Sequence, residues 1–130
     1  DPRAEQTSIT TNAAAVEQIL FNLIENASKY AANASDRRIH LCTTVQAAAV
    51  TVCISDHGPG VPKDIQRRLF RPFHKSSEEA ARSAPGVGLG LALCQRLARD
   101  LGGDLQLVQS NAKGASFQLT LPLMHSKLAF

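Results

Sequence analysis

Tryptophan is absent from the 130 residues, tyrosine and methionine occur once each, and aromatic residues make up only 5%. Little is therefore available to stack on bases, and a net charge of +3, scattered along the chain, supplies no basic patch in its place. Nucleic acid is set aside as a partner. No apolar run reaches the roughly 20 residues of a membrane span, and no signal peptide is visible, so membrane contact by this domain is not expected. Cys42, Cys53 and Cys94 form no Cys-x-x-Cys pair and sit within apolar runs. They read as buried free thiols of a reducing, cytoplasmic compartment rather than as disulfides or metal ligands. What is present, 44% hydrophobic and 19% charged residues over residues 1–130, is the composition of one globular domain with its own core. The abrupt polar start, with a short β-like piece at residues 8–11, reads as the beginning of a fragment.

Asn12 can cap a helix whose Val16, Ile19, Leu20, Leu23, Ile24, Ala27 and Ala31 fall on one stripe. At about 100° per residue, Asn22, Asn26 and Lys29 lie within roughly 60° of one another on the edge of that stripe. They are either a solvated helix edge or groups awaiting a partner, and a hydrated Mg²⁺ carrying phosphates is one such partner. Residues 38–46 and 49–56 alternate as two strands of a hairpin turned near Ala47 and Ala48. Asp56 closes the apolar row Val50, Val52, Ile54 and opens the sharp loop His57-Gly58-Pro59-Gly60-Val61-Pro62. Two readings stand: Asp56 caps that turn through its own backbone, or it accepts a hydrogen bond from an exocyclic amine such as adenine N6.

Residues 63–70 read as a short helix and residues 69–73 as an apolar knot ended by proline. Residues 74–85, extending to about 87, are polar and charged with no core face, and are expected to form a mobile lid. Gly86, Gly88 and Gly90 then lead into a helix over residues 91–101 that buries Leu93, Cys94, Leu97, Ala98 and Leu101 and stops at Gly102 and Gly103. Such a junction is either a flexible turn or a phosphate cradle, in which glycine backbone and unpaired helix N–H groups approach an anion. Strands over residues 105–109 and 115–121, turned at residues 111–114, close the domain.

These segments resemble, in order, the ATP-binding catalytic domain of sensor histidine kinases, within the GHKL ATPase superfamily. Asn22-Leu23-Ile24-Glu25-Asn26-Ala27-Ser28-Lys29-Tyr30 resembles the N box, and Asp56-His57-Gly58-Pro59-Gly60-Val61-Pro62 the first glycine box. Residues 69–73 resemble the F box, Gly86-Val87-Gly88-Leu89-Gly90-Leu91 the second glycine box, and Lys113-Gly114-Ala115-Ser116-Phe117 the last. Ala112 departs from the glycine often found at its position, and His74 from a common aromatic. The resemblance implies an α/β two-layer sandwich of Bergerat type, with a mixed, mostly antiparallel sheet and helices on one face. It implies ATP and Mg²⁺ as cofactors. Asn26 would coordinate the metal, Asn22 and Lys29 would lie near the phosphates, Tyr30 near the base or sugar, and Asp56 on adenine. Gly58, Gly60 and Val61 would line the nucleotide with Gly86, Val87, Gly88, Leu89, Gly90 and Leu91, while Lys75 would reach phosphate and Ser116 would bind adenine through water. Strand alternation, however, puts Ser116 on the face opposite Phe117, Leu119 and Leu121, so that role needs the outer face to be the ligand side, or a bulge.

The expected chemistry is phosphoryl transfer by positioning and charge neutralisation. Superfamily members that hydrolyse ATP or phosphorylate serine resemble one another in carrying Glu where this chain has Asn22, whereas a neutral imidazole acceptor needs no such base. None of His40, His57, His74 and His125 has a phosphoacceptor helix context, so the expected partners are a separate helical dimerisation and phosphoacceptor domain and a response regulator. The domain is expected in the cytoplasm, whether or not its parent is anchored in a membrane. The competing expectations are a non-catalytic nucleotide-binding module and an ATP hydrolase or serine kinase of the same fold.

Overall fold

The computed structural model describes residues 11–46, 48–71 and 90–123, together with Pro2. Helix α1 (Ala13–Tyr30) starts where expected because Asn12 stays extended, at φ −78° and ψ 100°, and its side chain accepts a hydrogen bond from the Ala15 N–H at 3.2 Å. That bond satisfies one of the donors orphaned at a helix start. Asn12→Ala should therefore cost about 1 kcal/mol, read as a lower urea midpoint with an unchanged slope. An unchanged midpoint would mean that water serves Ala15 equally well. The stripe buries Ala15, Ile19, Leu23 and Ala27, with Val16 and Leu20 at its flanks. Ile24 is exposed instead, because it stands a further 100° round the helix from Leu23.

Strands β1 (His40–Gln46) and β2 (Ala49–Ser55) form the expected hairpin, with Gln46 opposite Ala49. After the short helix α2 (Lys63–Gln66), Leu69 is buried and Phe70 meets Phe117 edge-on with ring centroids 6.3 Å apart, so the described part of the apolar knot packs on the core. Helix α3 (Gly90–Asp100) ends as Gly102 donates to the Arg99 carbonyl and Gly103 to the Ala98 carbonyl, the paired bonds of a glycine-terminated helix. Its core face is Leu91, Cys94 and Ala98, with Leu97 and Leu101 packed beside them. Leu93, expected inside, is 46% exposed, since it lies 100° from Cys94 on the side away from the sheet.

Strands β3 (Asp104–Asn111) and β4 (Gly114–Pro122) complete a four-stranded sheet in the order β1-β2-β4-β3. All three pairings are antiparallel. The parallel pair of a mixed sheet is not among the described residues, and the β-like piece at residues 8–11 lies outside them except for Thr11. On one face Ile54, Leu105, Phe117, Leu119 and Leu121 meet Ile19, Leu23, Leu91, Cys94 and Ala98 of the two long helices, which makes the two-layer sandwich. Each Ile or Leu so buried contributes roughly 1.5–3 kcal/mol relative to exposure. No described residue covers the other face, and there the reading of the cysteines needs correction: Cys42 on β1, the outer strand among those described, is exposed, Cys53 is half-buried, and only Cys94 is buried. Apolar neighbours in sequence did not bury Cys42, because alternation turns it to the outer face. The lid at residues 74–87 lies outside the described residues.

Candidate functional site

The C-terminal half of α1 borders α3 and the loop after β2. Asn22 donates from Nδ2 to the Cys94 sulfur at 3.3 Å, tying α1 to the second turn of α3. Burial pushes the Cys94 thiol up from its ordinary pKa, against the smaller opposing effect of the Asn22 bond, so the sulfur stays protonated and neutral. One turn further along α1, the Asn26 Nδ2 is buried with no hydrogen-bond partner among the described residues. An amide in that position costs about 1–3 kcal/mol until something accepts its hydrogens. Lys29 is exposed in the last turn. Tyr30 ends the helix half-buried, and the backbone at Gly58 presses against its carbonyl so closely that a Cβ there would lie 2.6 Å from the oxygen.

Asp56, 6% exposed, is the one buried charged residue among those described. Its Oδ1 accepts from the Gly58 N–H at 2.8 Å, so the turn-capping reading is realised. That is the carboxylate's only hydrogen bond among the described residues, and acceptor capacity remains for an incoming donor. Its backbone N–H donates to Ala115 at 3.0 Å, and β4 starts so tightly against it that a Cβ on Gly114, at φ +144°, would stand 1.9 Å from the Asp56 carbonyl oxygen. Downstream, Gly60 is buried, and Val61 donates to Ser110 Oγ at 2.7 Å while its carbonyl accepts from Gln66 Nε2 at 2.7 Å. Both ends of the loop are thus pinned to the β3–β4 pair.

Asn22, Asn26 and Tyr30 follow one another along α1, and the structure sets Tyr30 and Asp56 against Gly58, sets Gly60 and Val61 against the end of β3, and sets Asn22 against α3, which Gly90 and buried Leu91 open. Lys75, Gly86, Val87, Gly88 and Leu89 lie outside the described residues. Ser116 does not join the group. Its Oγ is 2.7 Å from that of Ser55 on the outer face, and the one register shift falls in β3 between Leu107 and Gln109, which leaves β4 in regular alternation. Ala115 takes the inward position beside Asp56. Sequence reasoning missed Cys94, Ser110 and Gln66 as partners. Only Ser110 carried any signal, a hydroxyl residue next to a turn. Among the described residues no three His, Cys, Asp or Glu side chains surround a point where a metal could sit. An ion at Asn26 would therefore depend on ligand oxygens and water, which suits Mg²⁺; the unpartnered Asn26 Nδ2 is a donor and fits a phosphate oxygen, which leaves the amide oxygen for the ion.

Residues 11–125 match the model of the histidine kinase-, DNA gyrase B- and HSP90-like ATPase family. The chain belongs to that family, as an ATP-binding catalytic domain of the sensor histidine kinase kind. It is 40% identical over 109 residues to the adaptive-response sensory kinase SasA of Synechococcus sp. (strain JA-2-3B'a(2-13)), covering 83% of this chain but 28% of that protein. Among solved structures it resembles the mycobacterial sensor histidine kinase MprB, with 26% identity, a TM-score of 0.71, and coverage of 88% of this chain and 76% of that one. It also resembles full-length ShkA in complex with AMPPNP, with 29% identity, a TM-score of 0.67, and coverage of 83% and 21%.

Proposed function

We propose that the chain binds Mg-ATP between α1, the loop at residues 56–61 and the start of α3, and donates the γ-phosphoryl group to a histidine on a separate helical domain of a two-component kinase. The observation that carries this reading is the buried Asn26 Nδ2, unpartnered among the described residues, a costly arrangement that an acceptor such as a phosphate oxygen would relieve. The AMPPNP held by the similar ShkA supports a nucleotide. Asp56 accepts from adenine N6, and the buried loop floor at Gly58, Gly60 and Val61 excludes water from the base. Tyr30 flanks the base or sugar. Asn26 offers an amide oxygen to the metal, which when bound supplies charge neutralisation on the phosphates. Lys29 and Lys75 add positive charge, and the glycines from Gly86 to Gly90 with the first N–H groups of α3 hold phosphate oxygens.

Asn22 cannot take a proton from water or a hydroxyl, and no carboxylate stands in its place. An imidazole already holding a free lone pair near pH 7 is the acceptor that needs no such base. His40 and His57 are engaged with each other, and neither they nor His74 and His125 have the sequence context of a phosphoacceptor helix, so the acceptor histidine belongs to another domain, and a response regulator takes the phosphoryl group onward. We assign the domain to the cytoplasm.

Asn26→Ala should weaken Mg-ATP binding by about 1–3 kcal/mol, roughly 5- to 150-fold, while the empty protein melts no lower than the parent because an unpaired buried amide has been removed. Calorimetric titration with and without Mg²⁺, beside a melting curve, tests both parts. Unchanged affinity with Mg²⁺ present would remove Asn26 from the site.

A further inference from the structure

His40 and His57 come from separate segments, the first residue of β1 and the residue after Asp56, yet their Nε2 atoms meet at 2.8 Å. The rings are nearly perpendicular, at 79°, with centroids 4.9 Å apart. Asp36 Oδ2 lies 3.5 Å from the same His57 Nε2, and Arg38 holds that carboxylate oxygen at 2.8 Å. His40 is exposed and the His57 side chain is 37% exposed, so solutes reach the pair from water.

Two neutral imidazoles converging on Nε2 can share only one proton, as one donor and one acceptor. The same convergence suits a cation better, because both lone pairs can then be used. Imidazole nitrogens bind zinc at about 2.0–2.1 Å, so two of them on one tetrahedral ion stand about 3.3 Å apart, and the pair at 2.8 Å would open by about half an ångström to admit it. Zinc, nickel and copper take imidazole readily, whereas Mg²⁺ prefers oxygen, so this place differs in kind from Asn26. No third His, Cys, Asp or Glu is arranged as a ligand among the described residues. Asp36 stands beside the pair, with its own charge already matched by Arg38.

We propose that His40 and His57 form a binding site for a divalent transition-metal ion of the zinc, nickel and copper group, with both Nε2 atoms as ligands and water in the remaining positions. The site stands independently of the nucleotide reading. An ion there joins the start of β1 to the first residue of the loop after Asp56, so it would restrain that loop.

Calorimetric titration of the full, tag-free chain with Ni²⁺ and with Zn²⁺, without nucleotide, should show a single strong event that His40→Gln and His57→Gln each weaken at least tenfold. Asp36→Asn should weaken it less. In a proton NMR spectrum, substoichiometric Ni²⁺ should broaden the ring signals of His40 and His57 before those of His74 and His125. Circular dichroism confirms that the variants fold, which their exposed positions allow. Absence of binding up to millimolar metal, or affinity unchanged in both histidine variants, would show that the pair makes only a direct N–H···N bond and would overturn the proposal.

Discussion

Asp56→Asn should cut ATP affinity by about 1–3 kcal/mol, roughly 5- to 150-fold, with little change in the melting temperature. The substitution keeps size and shape, and the side-chain oxygen can still accept from the Gly58 N–H as Oδ1 does at 2.8 Å. The turn is preserved. At the other position, however, an acceptor becomes an NH₂ donor, which in the proposed pose would face the N6 donor of adenine and turn attraction into conflict. By the same logic GTP should bind the unmodified chain poorly, since guanine presents its O6 acceptor to a carboxylate. Alanine is the less informative change, because it removes the turn bond along with the base contact. Calorimetric titration of both proteins with ATP and GTP makes the test. If Asp56→Asn binds ATP as tightly as the parent and the parent accepts GTP equally, Asp56 serves the loop alone.

Gly114→Ala is expected to have the largest effect on stability, roughly 3 kcal/mol, from two sources of about 1–3 kcal/mol each. The backbone at φ +144° is one that side chains rarely adopt, and the added methyl would stand 1.9 Å from the Asp56 carbonyl oxygen. The obstructing atom is main chain, so no rotamer change relieves it. β4 must move away from Asp56, and with it goes the Ala115 carbonyl that accepts the Asp56 N–H. Nucleotide affinity should therefore fall with stability, which separates this change from Asn26→Ala. Lys113→Ala, one residue earlier and exposed, is the control and should stay within about 0.5 kcal/mol. A Gly114→Ala midpoint in urea equal to that of the parent would contradict the close approach.

Elements whose signal is local were legible in the sequence. Asn12 and the spacing of Ile19, Leu23 and Ala27 define α1, and the alternation around residues 47 and 48 defines the hairpin, because capping and periodicity act within a few residues. Errors came where an apolar residue sat beside the core rather than in it. Ile24, Leu93 and Cys42 are all exposed, since hydrophobic composition marks a stripe without fixing its width or telling an edge strand from a central one. At the site, Asp56 announced itself as a carboxylate ending an apolar row. The Asn22–Cys94 bond joins residues 72 apart, and no local pattern carries such a pairing. For Ser116 the alternation was readable and holds in β4.

The contrast between Cys42 and Cys94 divides the chain's thiol chemistry by face. Only a thiolate reacts with alkylating reagents, and the elevated pKa and complete burial of Cys94 deny such reagents both the anion and access. Cys42 stands open on the side of the sheet that no described residue covers, across the strands from the helices. A fluorophore or spin label delivered through a maleimide would thus settle on the back of the domain first, leaving the Asn22 contact untouched. The molecule comes with a built-in attachment point from which distances to a docking partner can be measured without engineering a new one.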